Sequence, residues 1–149
     1  MNRILEEDFN RIIKAMPELT ELANSRWLLT GYAGFIGSYL SRFLCYLNDN
    51  VWDGTASFFG VDVGIAAGDT GAALGEEMKK RRDFMPLGWN IAIDPPFARL
   101  STAKIDYVLH MASIAAPAIY KKHPLETIHV NVNGTENVLR WASGAGIKS

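Results

Sequence analysis

Gly31, Gly34 and Gly37 recur at intervals of three in the run Thr30-Gly31-Tyr32-Ala33-Gly34-Phe35-Ile36-Gly37. The apolar run Trp27 to Thr30 precedes them, and Leu40, Leu44 and Leu47 follow at the spacing of one helix face. The glycines therefore occupy a turn between a strand and a helix. Gly31 lets the chain turn tightly off the strand, Gly34 lets backbone approach a pyrophosphate, and Gly37 lets the helix pack closely on the sheet. The start of that helix, where Ala33, Phe35 and Ile36 flank the glycines, would turn free amides and a positive dipole end toward phosphates. No lysine follows the glycines, which excludes a nucleoside-triphosphate loop.

A tight, closely packed turn needs the same glycines, so a second element matters. Asp62 closes the apolar run that begins at Phe58. At the end of a second strand its carboxylate could accept hydrogen bonds from both ribose hydroxyls of an adenosine. It lies 25 residues beyond Gly37, against the usual ~20, and the polar loop Asn48 to Gly54 can absorb the surplus. A solvated strand-end carboxylate is the plainer alternative. A 2′-phosphate would be repelled by Asp62, so the expected cofactor is NAD rather than NADP. Arg81 and Arg82 could bind such a phosphate, but their mixed-charge run from Glu76 to Asp83 reads more simply as a solvated helix face.

The elements that must hold these residues follow from periodicity. Leu5, Phe9, Ile12, Ile13 and Met16 make an amphipathic N-terminal helix that Pro17 stops. It is expected to pack on the main domain, giving an extension over residues 1–25 and a cofactor-binding domain over 26–149. Strands are expected at Trp27–Thr30, Phe58–Val63, Asn90–Ile93 and Asp106–Ala112, with a loop and short solvated helix between Gly64 and Gly88. A long helix should start at Pro124, with Leu125, Ile128, Val132, Thr135, Val138, Leu139 and Ala142 on one stripe. Strands alternating with helices predict an α/β fold, a doubly wound parallel sheet of Rossmann-like type in the order third, second, first, fourth. The order reverses between the first and fourth strands, so ligands should meet the glycine turn and the residues after Ala112.

Composition agrees with such a domain. The 149 residues are 48% apolar and 21% charged, and 15 Lys and Arg against 16 Asp and Glu leave a net charge of −1. This balance offers no footprint for nucleic acid or an anionic membrane. The longest charge-free stretch, Trp27 to Ser41, is shorter than the ~20 residues of a membrane-spanning helix and is interrupted by glycines. The acidic Glu6, Glu7 and Asp8 stand where a signal peptide would be apolar. The lone Cys45 fits a reducing, cytoplasmic setting and sits among apolar residues as a buried thiol. His123 and His129 lack metal-ligand spacing, so no metal is expected.

On these residues the chain resembles the extended short-chain dehydrogenase/reductase family. His110-Met111-Ala112-Ser113, Pro117, Tyr120, Pro124, Thr127 and the block Asn131-Val132-Asn133-Gly134-Thr135-Glu136-Asn137-Val138-Leu139 are similar to its nucleotide-sugar branch. Within that branch the likeness is nearest to UDP-glucuronate decarboxylases, then to dTDP-glucose dehydratases and UDP-sugar epimerases. The resemblance implies that Asp94, after the third strand, hydrogen-bonds the adenine amino group and that Ala112 and Ser113 line the cofactor crevice. It further implies that Ala115 and Tyr120 lie near a UDP- or dTDP-linked sugar, and that Asn131, buried on the long helix, either supports the active site or satisfies backbone groups. The family's catalytic Tyr-x-x-x-Lys has no counterpart, because the residues four beyond Tyr32, Tyr39, Tyr46, Tyr107 and Tyr120 are Ile36, Phe43, Asn50, Met111 and Pro124. The sequence stops where the family begins its fifth strand. The expectation is the NAD-binding portion of a nucleotide-sugar enzyme, inactive alone and prone to form homo-oligomers; a non-catalytic dinucleotide-binding module is the alternative.

Overall fold

A computed structural model describes residues 3–64, 72–93, 100, 103–145 and 147. The order is helix α1 (Arg3–Ala15), a 3-10 turn (Pro17–Leu22), strand β1 (Arg26–Thr30), α2 (Phe35–Asn50), β2 (Ser57–Asp62), α3 (Ala72–Lys79), β3 (Phe84–Gly88) and β4 (Tyr107–His110). Short helices α4 (Pro117–Tyr120) and α5 (Pro124–His129) follow, and a π-turn over Val130–Gly134 leads into α6 (Thr135–Ala145). The strands are parallel and lie in the order β3-β2-β1-β4. This is the Rossmann-like sheet that the alternation of strands and helices predicts.

Successive β1 residues serve opposite faces. Trp27 and Leu29 join a core with Leu44, Leu47, Phe58, Met78 and Phe84 beneath α2 and α3, while Leu28 joins Val61, Ile91, Leu100 and Ile105 on the other face. Trp141 of α6 packs on that second cluster. Burial on both faces is what the continuous apolar strands of a parallel sheet require. Helix α1 lies on α2, with the fully buried Phe9 ring 5.3 Å from Tyr39, 5.2 Å from Phe43 and 5.4 Å from Tyr46.

Three expectations need correction. The third strand is Phe84–Gly88, not Asn90–Ile93, and its register pairs Phe58 with Phe84 and Asp62 with Gly88. Pro86 interrupts the pattern, yet an edge strand tolerates it because, among the described residues, one row of its backbone groups faces no further strand. Asn90–Ile93 is a turn, closed by Ile93 N donating to Asn90 O at 3.2 Å and Ala92 N to Asn90 Oδ1 at 3.0 Å. The long helix runs as predicted from Pro124 but passes through the π-turn, and Leu125, Ile128, Val132 and Leu139 on its stripe are exposed. Asn131 is also exposed, and its Nδ2 donates to Thr127 O at 2.9 Å.

Polar groups at the amino ends of the strands have structural partners. Asn48, fully buried, donates to Ala56 O and Asp83 Oδ2 and accepts from Ala56 N. Arg81 forms a two-pronged pair with Asp49 at 2.8 and 2.6 Å and also bonds Asp83. Burial alone would raise the Asp83 carboxyl, but hydrogen bonds from Arg81 and Asn48 outweigh it and hold the group below its ordinary range. Arg81 precedes β3, so it lies a strand's length from the crevice end and is spent on this cluster rather than on a ribose phosphate. Burial pushes the Cys45 thiol up to about 12, which leaves it a packed, unreactive side chain.

Candidate functional site

The carboxyl ends of the four strands open onto one crevice of about 400 Å³. Gly31 and Gly34 form one wall, Asp62 the middle, Trp89 and Ile91 a second wall, and Ala112 to Ala116 the third. The chain reaches this geometry through a turn that only glycine permits. Gly31 has φ +68°, and a Cβ there would lie 2.6 Å from the Ala112 backbone. Gly31 N donates to Val61 O at 2.7 Å, which ties the turn to β2. A Cβ on Gly37 would lie 2.0 Å from Gly31 O, so the first turn of α2 sits directly on the glycine turn.

Gly34 differs. Its backbone is extended, with φ −68° and ψ 176°, and a Cβ there would meet only Gly31 O at 3.2 Å. Gly34 itself lines the crevice. The next residues open α2, where first-turn amides have no partner within a helix. Phe35 and Ile36 turn their side chains away from the crevice into solvent, Phe35 being 95% exposed.

Asp62 is held by backbone. Its Oδ2 accepts from Ala33 N at 3.1 Å and its Oδ1 from Gly64 N at 2.9 Å. Two amides leave the carboxylate with lone pairs still free to accept from a ligand, since an ionised carboxylate has about four acceptor sites. Beneath the turn, the Tyr32 ring packs 5.2 Å from Phe84 and against Gly60, where a Cβ would lie 2.7 Å from Tyr32 Cδ1. Burial raises the Tyr32 phenol above its ordinary value and the Asp62 charge adds to the shift. The Tyr32 hydroxyl is fully buried and has no hydrogen-bond partner among the described residues.

A second polar chain crosses the sheet behind the crevice. Thr135 Oγ1 donates its hydrogen to Asn131 O, so it accepts from His110 Nε2 at 3.0 Å. His110 Nδ1 then accepts from Thr30 Oγ1 at 2.6 Å, and Thr30 Oγ1 in turn accepts the amides of Met111 at 3.2 Å and Ala112 at 3.4 Å. Burial lowers the His110 pKa, in keeping with a neutral ring of one defined tautomer.

Of the residues singled out from sequence, Gly31, Ala33, Gly34, Asp62, Ala112, Ser113 and Ala115 border the crevice. Tyr120 ends α4 and is exposed, and among the described residues the α4 side chain at the crevice is Ile119. Asp94 lies outside the described residues. The strand expected to place it ends six residues earlier, at Gly88, so the residue that follows the strand into the crevice is Trp89. Trp89 and Ile91 were not legible as site residues because their position depends on where β3 ends. Among the described residues no three His, Cys, Asp or Glu side chains come together as metal ligands. None of the described helices is long and apolar enough to cross a membrane.

The sheet order, the crevice at the strand ends and the glycine turn define a Rossmann-like α/β domain. Residues 27–149 match the NAD dependent epimerase/dehydratase family, and the chain belongs to that family. It is 28% identical over 144 residues to UDP-glucuronic acid decarboxylase 1 of Xenopus tropicalis, covering 97% of this chain and 30% of that protein. The dTDP-glucose 4,6-dehydratase of Streptomyces venezuelae, solved with NAD bound, is 25% identical with a TM-score of 0.67 over 83% of this chain and 37% of its own. The UDP-glucuronic acid 4-epimerase of Bacillus cereus, solved with UDP-glucuronic acid and NAD, is 26% identical with a TM-score of 0.59 over 78% of this chain and 36% of its own. The chain thus spans about a third of the length of these relatives.

Proposed function

We propose that this chain supplies the NAD-binding portion of an enzyme that modifies a UDP- or dTDP-linked sugar, most like a UDP-glucuronate decarboxylase. The observation that carries this reading is the unequal demand for the three glycines. Packing and backbone conformation account for Gly31 and Gly37, whereas Gly34 lines the crevice and a Cβ there would meet only Gly31 O, at 3.2 Å. A ligand approaching the backbone there gives Gly34 its reason. A pyrophosphate fits that approach, because the amides that open α2 and the helix dipole favour an anion.

The remaining roles follow along the crevice. Asp62 accepts from the adenosine ribose hydroxyls and repels a 2′-phosphate, which selects NAD. The family resemblance gives Asp94 the adenine amino group, although the correction to β3 removes the positional argument for it. Ala112 and Ser113 border the nicotinamide side, and Ala115, Tyr120 and Asn131 belong to the sugar side. Bound NAD supplies a hydride acceptor and donor. The residues of this chain bind and orient that cofactor, and because they include no Tyr followed four residues later by Lys, we assign them no proton transfer. The free, buried Cys45 accords with a reducing cytosol.

Calorimetric titration of wild type and Asp62→Ala with NAD and NADP tests the reading. Wild type should prefer NAD, and Asp62→Ala should bind NAD more weakly and narrow the ratio. A wild type that binds neither dinucleotide would refute the cofactor reading, and an unchanged ratio would remove Asp62 from the site.

A further inference from the structure

The wall of the crevice formed by Trp89 and Ile91 is not fixed by the strand that precedes it. Among the described residues, Trp89 N, which donates to Asp62 O at 3.1 Å, is the last to continue the ladder between β2 and β3. Beyond it the turn is held by the π-turn and α6, which lie on the same face of the sheet as Ile91. Asn137 of α6 donates through Nδ2 to Ile91 O at 2.8 Å, across 46 residues of sequence. Gly134, the last residue of the π-turn, receives the Ile91 side chain, and a Cβ on Gly134 would lie 2.9 Å from Ile91 Cδ1 and 3.0 Å from Ile91 Cγ1. Ile91 is buried in that notch. Val130, at the other end of the same π-turn, itself lines the crevice.

From this clamp we infer that Asn137 is a positioning residue for the adenosine half of the cofactor, an inference that rests on the dinucleotide reading above. Asp62 meets the ribose at the end of β2, and β3 lies on the far side of β2 from the glycine strand. The turn after β3 therefore borders the adenosine end of the crevice. The hydrogen bond from Asn137 and the glycine notch set how far Trp89 and Ile91 stand from Asp62. Without the bond, Ile91 O loses that partner, and the turn loses the hydrogen bond that ties its backbone to α6. The cost falls on crevice width and not on the sheet ladder, whose hydrogen bonds Asn137 does not touch.

Amide hydrogen exchange of the ligand-free chain and calorimetry with NAD, each on wild type, Asn137→Ala and Asn137→His, test the inference. In Asn137→Ala the amides of Ala92 and Ile93 should exchange about tenfold faster while those of Trp89 and β1 keep their protection, and NAD affinity should fall about tenfold, the equivalent of one net hydrogen bond. Asn137→His places a ring N–H where the amide N–H stood and should recover both. Unchanged exchange in Asn137→Ala would overturn the clamp, and faster exchange with wild-type NAD affinity would overturn the positioning role. Faster exchange in a chain whose wild type binds no NAD would instead overturn the dinucleotide reading and the role built on it. A purely structural Asn137 would lower melting temperature but leave NAD affinity unchanged at a temperature where all three proteins are folded.

Discussion

Alanine at each of the three glycines separates what the fold needs from what a ligand needs. At Gly31 the left-handed backbone, φ +68°, costs an L-residue ~1–2 kcal/mol. A methyl placed 2.6 Å from the Ala112 backbone adds overpacking of ~1–3 kcal/mol, because the obstructing atoms are main chain. At Gly37 the methyl would sit 2.0 Å from Gly31 O, so α2 must lift off the turn at a cost of about 3 kcal/mol or more. At Gly34 the backbone suits any residue, and the nearest atom, Gly31 O at 3.2 Å, needs to give by only a few tenths of an ångström. The expected cost there is the loss of a favoured helix N-cap, ~1 kcal/mol. Urea denaturation should thus rank Gly34→Ala close to wild type, with Gly31→Ala and Gly37→Ala losing a large share of a typical domain's ~5–15 kcal/mol. NAD titration of the folded Gly34→Ala protein should show the opposite emphasis. A methyl that displaces a phosphate from one backbone amide removes a hydrogen bond to a charged group, ~1.5–3 kcal/mol or about ten- to a hundredfold in affinity. Gly34→Ala that binds NAD like wild type would refute the pyrophosphate argument, and Gly34→Ala as unstable as Gly37→Ala would refute the division between fold and ligand.

Tyr32→Phe removes a buried hydroxyl that has no partner among the described residues, so it should leave stability unchanged or raise it by ~1 kcal/mol; a clear loss of stability in urea would show that the hydroxyl has a partner. His110 is held below its ordinary pKa by burial, and a depressed folded value means that acid favours the unfolded chain. Its contribution should be complete above the unfolded value of about 6.5 and decline as pH falls through the lower folded value. His110→Asn should flatten that decline in urea midpoints measured from pH 8 to pH 5, and an equally steep decline would exclude His110 as its source. The exposed Leu125, Ile128, Val132 and Leu139 on one helical stripe favour self-association, so light scattering should find a dimer or larger species; a strictly monomeric, soluble chain would contradict this.

The parts of the fold that were legible in the sequence are those where local chemistry and tertiary demand agree. The apolar runs at Trp27 and Phe58 are buried on both faces of the sheet, and the glycine turn has the conformation its residues require. β3 was misplaced because an edge strand need not alternate or avoid proline, so Phe84-Met85-Pro86-Leu87-Gly88 carries little local signal. The short apolar run after it, Asn90 to Ile93, is apolar because Ile91 fills the Gly134 notch and not because it is a strand. The π-turn was equally hidden, since its helical periodicity continues on either side. In the site, the residues attached to the glycine turn and β4 could be named from spacing. Trp89 and Ile91 could not, because their place depends on where β3 ends and, for Ile91, on contacts to Gly134 and Asn137 from far along the chain.

The central claim is that a dinucleotide lies across the glycine turn and Asp62, and an amide-resolved NMR titration of the chain with NAD tests it most directly. The account predicts saturable shifts at Gly31, Ala33, Gly34, Gly64 and Ala112, with the cluster of Asn48, Arg81 and Asp83 at the opposite end of the sheet unmoved. Saturable binding whose shifts fall elsewhere, for example in the groove between Leu5 of α1 and Tyr39 of α2, would contradict it, as would the absence of any shift at Gly34.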